Sequence, residues 1–163
     1  MASVICNCVK RSNALNNYNP NTLVYKESAV YSNFFEGFSN VMSLINFGSA
    51  LMIPPLRWLL RSFVLPKPGE GPSESQMDAG YLKITTIGEG TSGGKARAVI
   101  LFKTDPGYRD TARMLVESGL SLALDFESVK KTSPKGGCLT PATCQKDVLL
   151  NRLISTGCSF FSE

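Results

Sequence analysis

The one string in this chain with the spacing of a phosphate cradle is Gly88-Glu-Gly90-Thr-Ser-Gly93, a literal G-x-G-x-x-G behind a β-branched run. In a dinucleotide-binding fold such glycines bring backbone N–H groups to a pyrophosphate at a helix N-terminus. The residues downstream of the string argue otherwise. Lys95 to Lys103 holds Val99-Ile-Leu-Phe102 and runs into Asp105-Pro106, which suits a strand and leaves too little chain for a βαβ helix. The glycines therefore read as the tip of a β-hairpin. A P-loop is missing too, since Gly94-Lys95 is succeeded by Ala96 where Ser or Thr is required. Histidine is absent, which removes Ser–His and Cys–His pairs and the commonest general base near neutral pH. Cys6-x-Cys8 and Cys138-x5-Cys144 lack zinc-ligand spacing, and the acids are spread singly, so neither a metal site nor a paired-carboxylate site is assigned. No catalytic residue is assigned from these patterns.

The elements that must carry any site belong to a chain of 163 residues, enough for one domain with a hydrophobic core. The net charge of +4 comes from 17 basic and 13 acidic residues scattered along it, with no basic stripe or interleaved aromatics, which argues against nucleic acid as a partner. An odd count of five cysteines without repeated spacing, and no N-x-S/T sequon, point to a reducing, intracellular compartment. The N-terminus, Met-Ala-Ser-Val-Ile-Cys-Asn-Cys-Val-Lys, has neither the charged lead nor the apolar length of a signal peptide.

Patterning divides the chain into a polar segment over 1–33, an apolar helical segment over 34–65 and an α+β domain over 66–163. The first is broken, Asn-rich from Asn13 to Asn21, with a short strand expected at Leu23-Val-Tyr25. Pro66 to Ser75 is a loop by composition. Tyr81–Gly88 and Lys95–Lys103 form the hairpin, and Asp105-Pro106 opens a helix over Tyr108–Phe126. On that helix Ala112, Leu115, Val116, Gly119, Leu120 and Ala123 share one face, which the 3.6-residue period predicts to be packed on the sheet. Thr132–Gly137 is a loop. Thr140-Pro141 opens a last helix with Gly157 as its C′ residue, and Cys158–Phe161 closes the sheet. The fold class is α+β: an antiparallel sheet built around a hairpin, packed helices on one face, and an apolar helical segment.

From Gly37 to Leu56 there is no ionisable side chain. The block has the length to cross a bilayer, but Asn46, two glycines and Pro54-Pro55 interrupt it, and the prolines end any straight helix there. Arg57, Trp58 and Arg61 come next, a trio suited to a headgroup region. Two readings stand side by side: a helical piece seated in one leaflet, and a helical pair packed under a missing domain or a second copy of the chain.

Several strings together resemble one family, the saccharopine dehydrogenase-like oxidoreductases. They are Val9-Lys-Arg-Ser-Asn-Ala-Leu15, Val24-Tyr-Lys-Glu27, Pro66-Lys-Pro-Gly-Glu-Gly-Pro72, Asp105-Pro-Gly-Tyr108 with Thr111-Ala112, Gly136-Gly137, Leu139-Thr-Pro-Ala142, and Arg152-Leu153 with Gly157. Their order is similar to the last portion of that family, from about Val9 onward; bacterial relatives include the trans-acting enoyl reductases of lipid biosynthesis. The resemblance implies an N-terminal Rossmann domain binding NAD(P), and these residues lack its fingerprint, so no cofactor is expected on this chain alone.

The resulting expectation is the C-terminal, substrate-side and membrane-facing part of an NAD(P)-dependent oxidoreductase of lipid metabolism, inactive by itself. The competing expectation is a non-catalytic membrane or lipid-droplet interaction module descended from such an enzyme, and a third is a fragment whose Met1 is not the natural start. Asp105, Gly107, Tyr108 and Thr111 shape a turn that either offers N–H groups to a phosphate or substrate or is purely structural. Lys67, Gly69 and Gly71 are candidates for a site wall, with a plain linker as the alternative. Arg57, Trp58 and Arg61 are the membrane-interface candidates. The expected place is intracellular, on a lipid droplet or organelle membrane facing the cytosol, with a lipid surface and a homo-oligomer as partners.

Overall fold

Glycine turns and polar side chains at helix starts set several of the element boundaries. They are seen in a computed structural model that describes residues 2–18, 23–67, 69–133 and 136–163. The described residues fall into two compact units, one of residues 1–25 and 73–163, the other of residues 26–72.

In the first unit, strands β1 (Leu82–Glu89) and β2 (Lys95–Phe102) pair antiparallel in unbroken register from Leu82 opposite Phe102 to Glu89 opposite Lys95. Gly90 N–H donates to Gly94 C=O at 2.8 Å and Gly93 takes φ +84, so the tip is a three-residue turn closed by a residue only glycine adopts readily. The G-x-G-x-x-G string is therefore hairpin, as its sequence context requires. A third strand, β3 (Ser159–Ser162), runs antiparallel along the other side of β2, giving the order β1-β2-β3.

Helices fill the rest of this unit: α1 (Ala2–Asn16), α4 (Glu74–Ala79), α5 (Arg109–Leu124), α6 (Phe126–Thr132), α7 (Pro141–Cys144) and α8 (Lys146–Ser155). Ser73 and Gln76 form a capping box that starts α4. The Asp105 carboxylate accepts the Tyr108 N–H at 2.7 Å ahead of α5. At the end of α8, Gly157 N–H donates to Ile154 C=O and Cys158 N–H to Leu153 C=O, with Gly157 at φ +112. That is the Schellman closure expected of Gly157. The same pair of bonds, Asn17 to Ala14 and Tyr18 to Asn13, closes α1 with Asn17 at φ +53.

The second unit holds α2 (Phe34–Met52) and α3 (Pro54–Phe63). Asn33 caps α2 by accepting the Glu36 N–H at 2.8 Å. The helix runs through Asn46, Gly48 and Ser49 and stops at extended Ile53, where the two prolines start α3. No residue of either helix is buried, and among the described residues no helix is long and apolar enough to cross a membrane.

Several sequence expectations are corrected. The N-terminal segment is not broken: α1 occupies Ala2–Asn16, while Leu23–Tyr25 is without regular structure rather than a strand. Helix α5 stops at Leu124, and α6 begins after Asp125. The last helix is two pieces, divided where Lys146 takes φ +45. The Asn13–Asn21, Pro66–Ser75 and Thr132–Gly137 stretches each include residues outside the described ones; α1 covers the start of the first, and α4 begins inside the second.

The largest correction concerns α5. Its buried residues are Asp110, Glu117 and Ser121, whereas Leu115 is 74% and Val116 56% exposed. The helix turns its polar stripe inward, towards α8, and its apolar stripe outward. The reason is a set of ion pairs and hydrogen bonds that the polar stripe makes with α8 and the loops. Burial of apolar side chains is correspondingly thin: among the described residues only Phe102, Val129 and Cys158 are buried hydrophobics.

Candidate functional site

Three polar clusters lie in the first unit, and α5 and α8 supply residues to two of them. Asp110 lies in the first turn of α5 and is fully buried. Its Oδ2 accepts the Thr104 N–H at 3.1 Å and the Thr104 hydroxyl at 2.8 Å, while its Oδ1 receives no hydrogen bond and is met by the Arg113 guanidinium as an ion pair. Arg113 Nη1 donates to Thr156 C=O at 2.8 Å, tying the start of α5 to the end of α8. A Cβ on Gly157 would come within 3.2 Å of that same nitrogen. Beside this knot, burial pushes the Cys158 thiol pKa up, with Arg113 opposing and Asp110 adding to the rise.

The second cluster lies along α5 and α8. Arg152 donates through Nε to Glu117 and through Nη1 to Asp125, both at 2.8 Å. Hydrogen bonds donated to Asp125 first, then to Glu117, raise the guanidinium above its ordinary pKa, which keeps it charged. Gln145, buried at the α7–α8 junction, donates to the Ser118 carbonyl at 2.9 Å and exchanges a bond with its hydroxyl.

The third cluster joins α1 to α7. Arg11 donates to Cys138 C=O at 2.6 Å. Ser12 donates to Cys8 C=O at 2.8 Å and shares a bond with Thr140 at 2.7 Å, and Thr140 shares one with Thr143 at 2.9 Å. A hydroxyl has one proton to give, so the chain must run from Thr143 to Thr140 to Ser12 and end on a carbonyl. It ends on no base. The arrangement is a staple between two elements, and it provides no activated nucleophile.

The turn before α5 brings together four of the residues that the sequence marks as site candidates, Asp105, Gly107, Tyr108 and Thr111, but that turn satisfies itself. Tyr108 N–H goes to the Asp105 carboxylate, Asp110 N–H to Asp105 C=O at 3.0 Å, and the Thr111 hydroxyl to Pro106 C=O. Gly107 lies against the Asp105 carboxylate, where a Cβ would stand 3.3 Å from Oδ2. Tyr108 itself projects outward, 58% exposed.

Lys67, Gly69 and Gly71 belong to the other unit. Lys67 and Glu70 close a small turn there, Lys67 N–H to the Glu70 carboxylate at 3.0 Å and Glu70 N–H to Lys67 C=O at 2.9 Å, with Gly69 at φ +91. Pro68 lies outside the described residues. Arg57, Trp58 and Arg61 are exposed on α3, with Trp58 edge-on to Phe63 at 6.4 Å and, among the described residues, no ion pair to either arginine.

Sequence patterning does not single out the buried pairs. Asp110 and Arg113 carried a signal, since opposite charges three apart meet on a helix. Arg152 with Glu117 and Gln145 with Ser118 are long-range and had none. Among the described residues no cluster of potential metal ligands occurs. The Gly88–Gly93 string does not fit a dinucleotide: Gly90 and Gly93 spend their N–H groups on the turn itself, and the chain continues into β2 instead of a helix.

The class of molecule these features define is an α+β chain with a three-stranded antiparallel sheet and eight helices among the described residues. No family model and no solved structure matches it. Curated relatives do. A Mycobacterium tuberculosis protein provisionally named a trans-acting enoyl reductase is 44% identical over 96 residues, covering 59% of this chain and 22% of the relative. The trans-acting enoyl reductases of Mycobacterium ulcerans and Mycobacterium bovis are 42% and 39% identical over 94 residues, 58% of this chain and 22% of each. The chain is thus related to trans-acting enoyl reductases over more than half its length, and it spans about a fifth of the length of the relatives it matches.

Proposed function

We propose that this chain serves as the C-terminal, substrate-side part of a saccharopine dehydrogenase-like reductase acting on a lipid-like molecule, with NAD(P) held by sequence outside these 163 residues. The observation that carries the reading is the 39–44% identity to enzymes whose names make an enoyl group the substrate, each about four times longer than the matched stretch. The inverted α5 supports it. A helix that buries carboxylates and leaves Leu115, Val116 and Leu122 exposed is shaped to receive a further surface. On this reading the three polar clusters hold α1, α5, α7 and α8 rigid, while chemistry takes place on groups supplied by the rest of the enzyme.

The second reading, a non-catalytic membrane or lipid-droplet module, is favoured by the other unit. There Phe34, Phe35, Trp58 and Phe63 are each about two-thirds exposed or more, beside two arginines that make no ion pair among the described residues. An immunoblot of native cell fractions with an antibody to residues 108–126 separates the two. The reductase reading expects a band heavier by roughly a 150-residue domain or more. A sole band at the size of this chain removes that reading and leaves the module.

A further inference from the structure

Strand β1 is one edge of the sheet, and among the described residues of its unit its only extensive neighbour is β2. The hydrogen bonds already made fix which of its residues face the open side. Arg97 exchanges both backbone bonds with Glu163, at 2.7 and 2.9 Å, so its N–H and C=O point towards β3. Ala96 and Ala98 then point towards β1, where they meet Gly88 and Thr86. The Gly90 N–H bond to Gly94 gives the same alternation from the turn. Lys83, Thr85, Ile87 and Glu89 therefore hold their backbone donors and acceptors over the free edge.

Natural edges are usually shielded by shortness, a proline, a bulge or a blocking charge. This one is eight residues long, keeps an unbroken register, has no proline, carries its charges only towards its ends at Lys83 and Glu89, and runs Ile84-Thr-Thr-Ile87 through its centre, with Ile84 45% and Ile87 67% exposed. The opposite edge, β3, offers four residues.

We propose that two copies of this chain pair β1 against β1, antiparallel, about a two-fold axis through Thr86, joining their sheets into one. The charges select that register. In a symmetric pair the facing residues must share a sheet face, so the axis passes through a residue. Through Thr86 it sets Thr86 against Thr86, Thr85 against Ile87, and Lys83 against Glu89 on both sides of the axis. Through Thr85 it would set Lys83 against Ile87, and through Ile87 against Thr91 in the turn. Lys83 has no ion pair among the described residues, and Glu89 meets only the exposed Lys95, at 3.0 Å. Opposite charges and paired threonines directly across an antiparallel ladder are favourable contacts. The occupant of the edge is then a second copy of this chain, and the pairing stands apart from the reductase reading.

Sedimentation equilibrium of the purified full chain tests this. The expected result is a monomer–dimer equilibrium. Thr85→Pro should abolish it, because the Thr85 N–H faces the open edge and its loss leaves the β1–β2 ladder whole. Lys83→Glu should raise the dimer dissociation constant about tenfold or more, since two attractive pairs become repulsive. Adding Glu89→Lys should reverse that change. Circular dichroism confirms that each variant is folded. A monomeric wild-type chain, a dimer that survives Thr85→Pro, or a charge swap without recovery would each overturn the pairing.

Discussion

Asp110 has no side-chain oxygen left for a ligand: Thr104 takes one and Arg113 the other, and the side chain is fully buried. A carboxylate so enclosed contributes by holding Arg113 where it can reach the last turn of α8. Removing one member of a buried pair strands the other, which costs roughly 3 kcal/mol or more. Asp110→Ala should therefore lower the urea midpoint by a corresponding amount; a change under about 1 kcal/mol would mean that Arg113 finds water instead. Its neighbour Cys158 makes a pH statement. Burial raises the thiol pKa in the folded chain. The unfolded chain ionises this thiol near the ordinary value of about 8.5, so the stability it contributes is complete below that pH. As pH climbs from there towards the folded value, the unfolded state is favoured and that contribution is lost. The thermal midpoint should fall over this alkaline range, and less steeply in Cys158→Ala, whose side chain does not titrate.

At the scale of elements, α5 carries two stripes. One is apolar, through Ala112, Leu115, Val116, Gly119 and Ala123; the other is polar, through Asp110, Arg113, Glu117 and Ser121. Local patterning favours burying the first. Tertiary partners decide for the second, because Arg152 on α8 and the Thr156 carbonyl are positioned to satisfy it and Gln145 holds the adjoining Ser118. Leu115→Gln and Val116→Gln should accordingly shift unfolding of the isolated chain by less than about 0.5 kcal/mol, as at exposed sites. Core positions of this size lose about 2–5 kcal/mol on truncation, so a large loss would show the stripe covered in solution.

The same contrast explains what the sequence disclosed. The hairpin, β3, the break at Pro54-Pro55 and the Gly157 closure rest on residues whose own backbone preferences decide the conformation, so they are legible locally. Helix α1 is polar and Asn-rich, and it is tied to the 138–143 segment through Arg11 and Ser12. Asn17, in the left-handed region at its end, was its one local sign. Lys146 at positive φ has no sequence signature at all. The expected turn of Asp105 to Thr111 formed, while the clusters that fasten it to α8 depend on residues about 35 to 45 positions away.

At the scale of the whole molecule, the proposed membrane attachment rests on the α2–α3 unit. Neither helix is long and apolar enough to cross a membrane, and neither buries a residue. On α3, Leu56, Leu59, Leu60 and Phe63 make one stripe at helical spacing, while Arg57, Trp58 and Arg61 lie off it. An amphipathic helix of that kind rests in the plane of an interface, its apolar stripe among acyl chains and its arginines among headgroups. Each arginine near an anionic surface contributes about 1 kcal/mol, and the tryptophan adds area at headgroup depth. The full chain should thus float with vesicles containing phosphatidylserine and less well with neutral ones. Arg57→Ala with Arg61→Ala should cut the partition coefficient on the order of thirtyfold, and high salt should mimic that loss. Equal flotation of the double variant would show that charge has no part in attachment. A wild-type chain that stays in the soluble fraction would assign the exposed stripe of α3 to a protein surface instead, and the same two substitutions should then leave membrane distribution in cells unchanged.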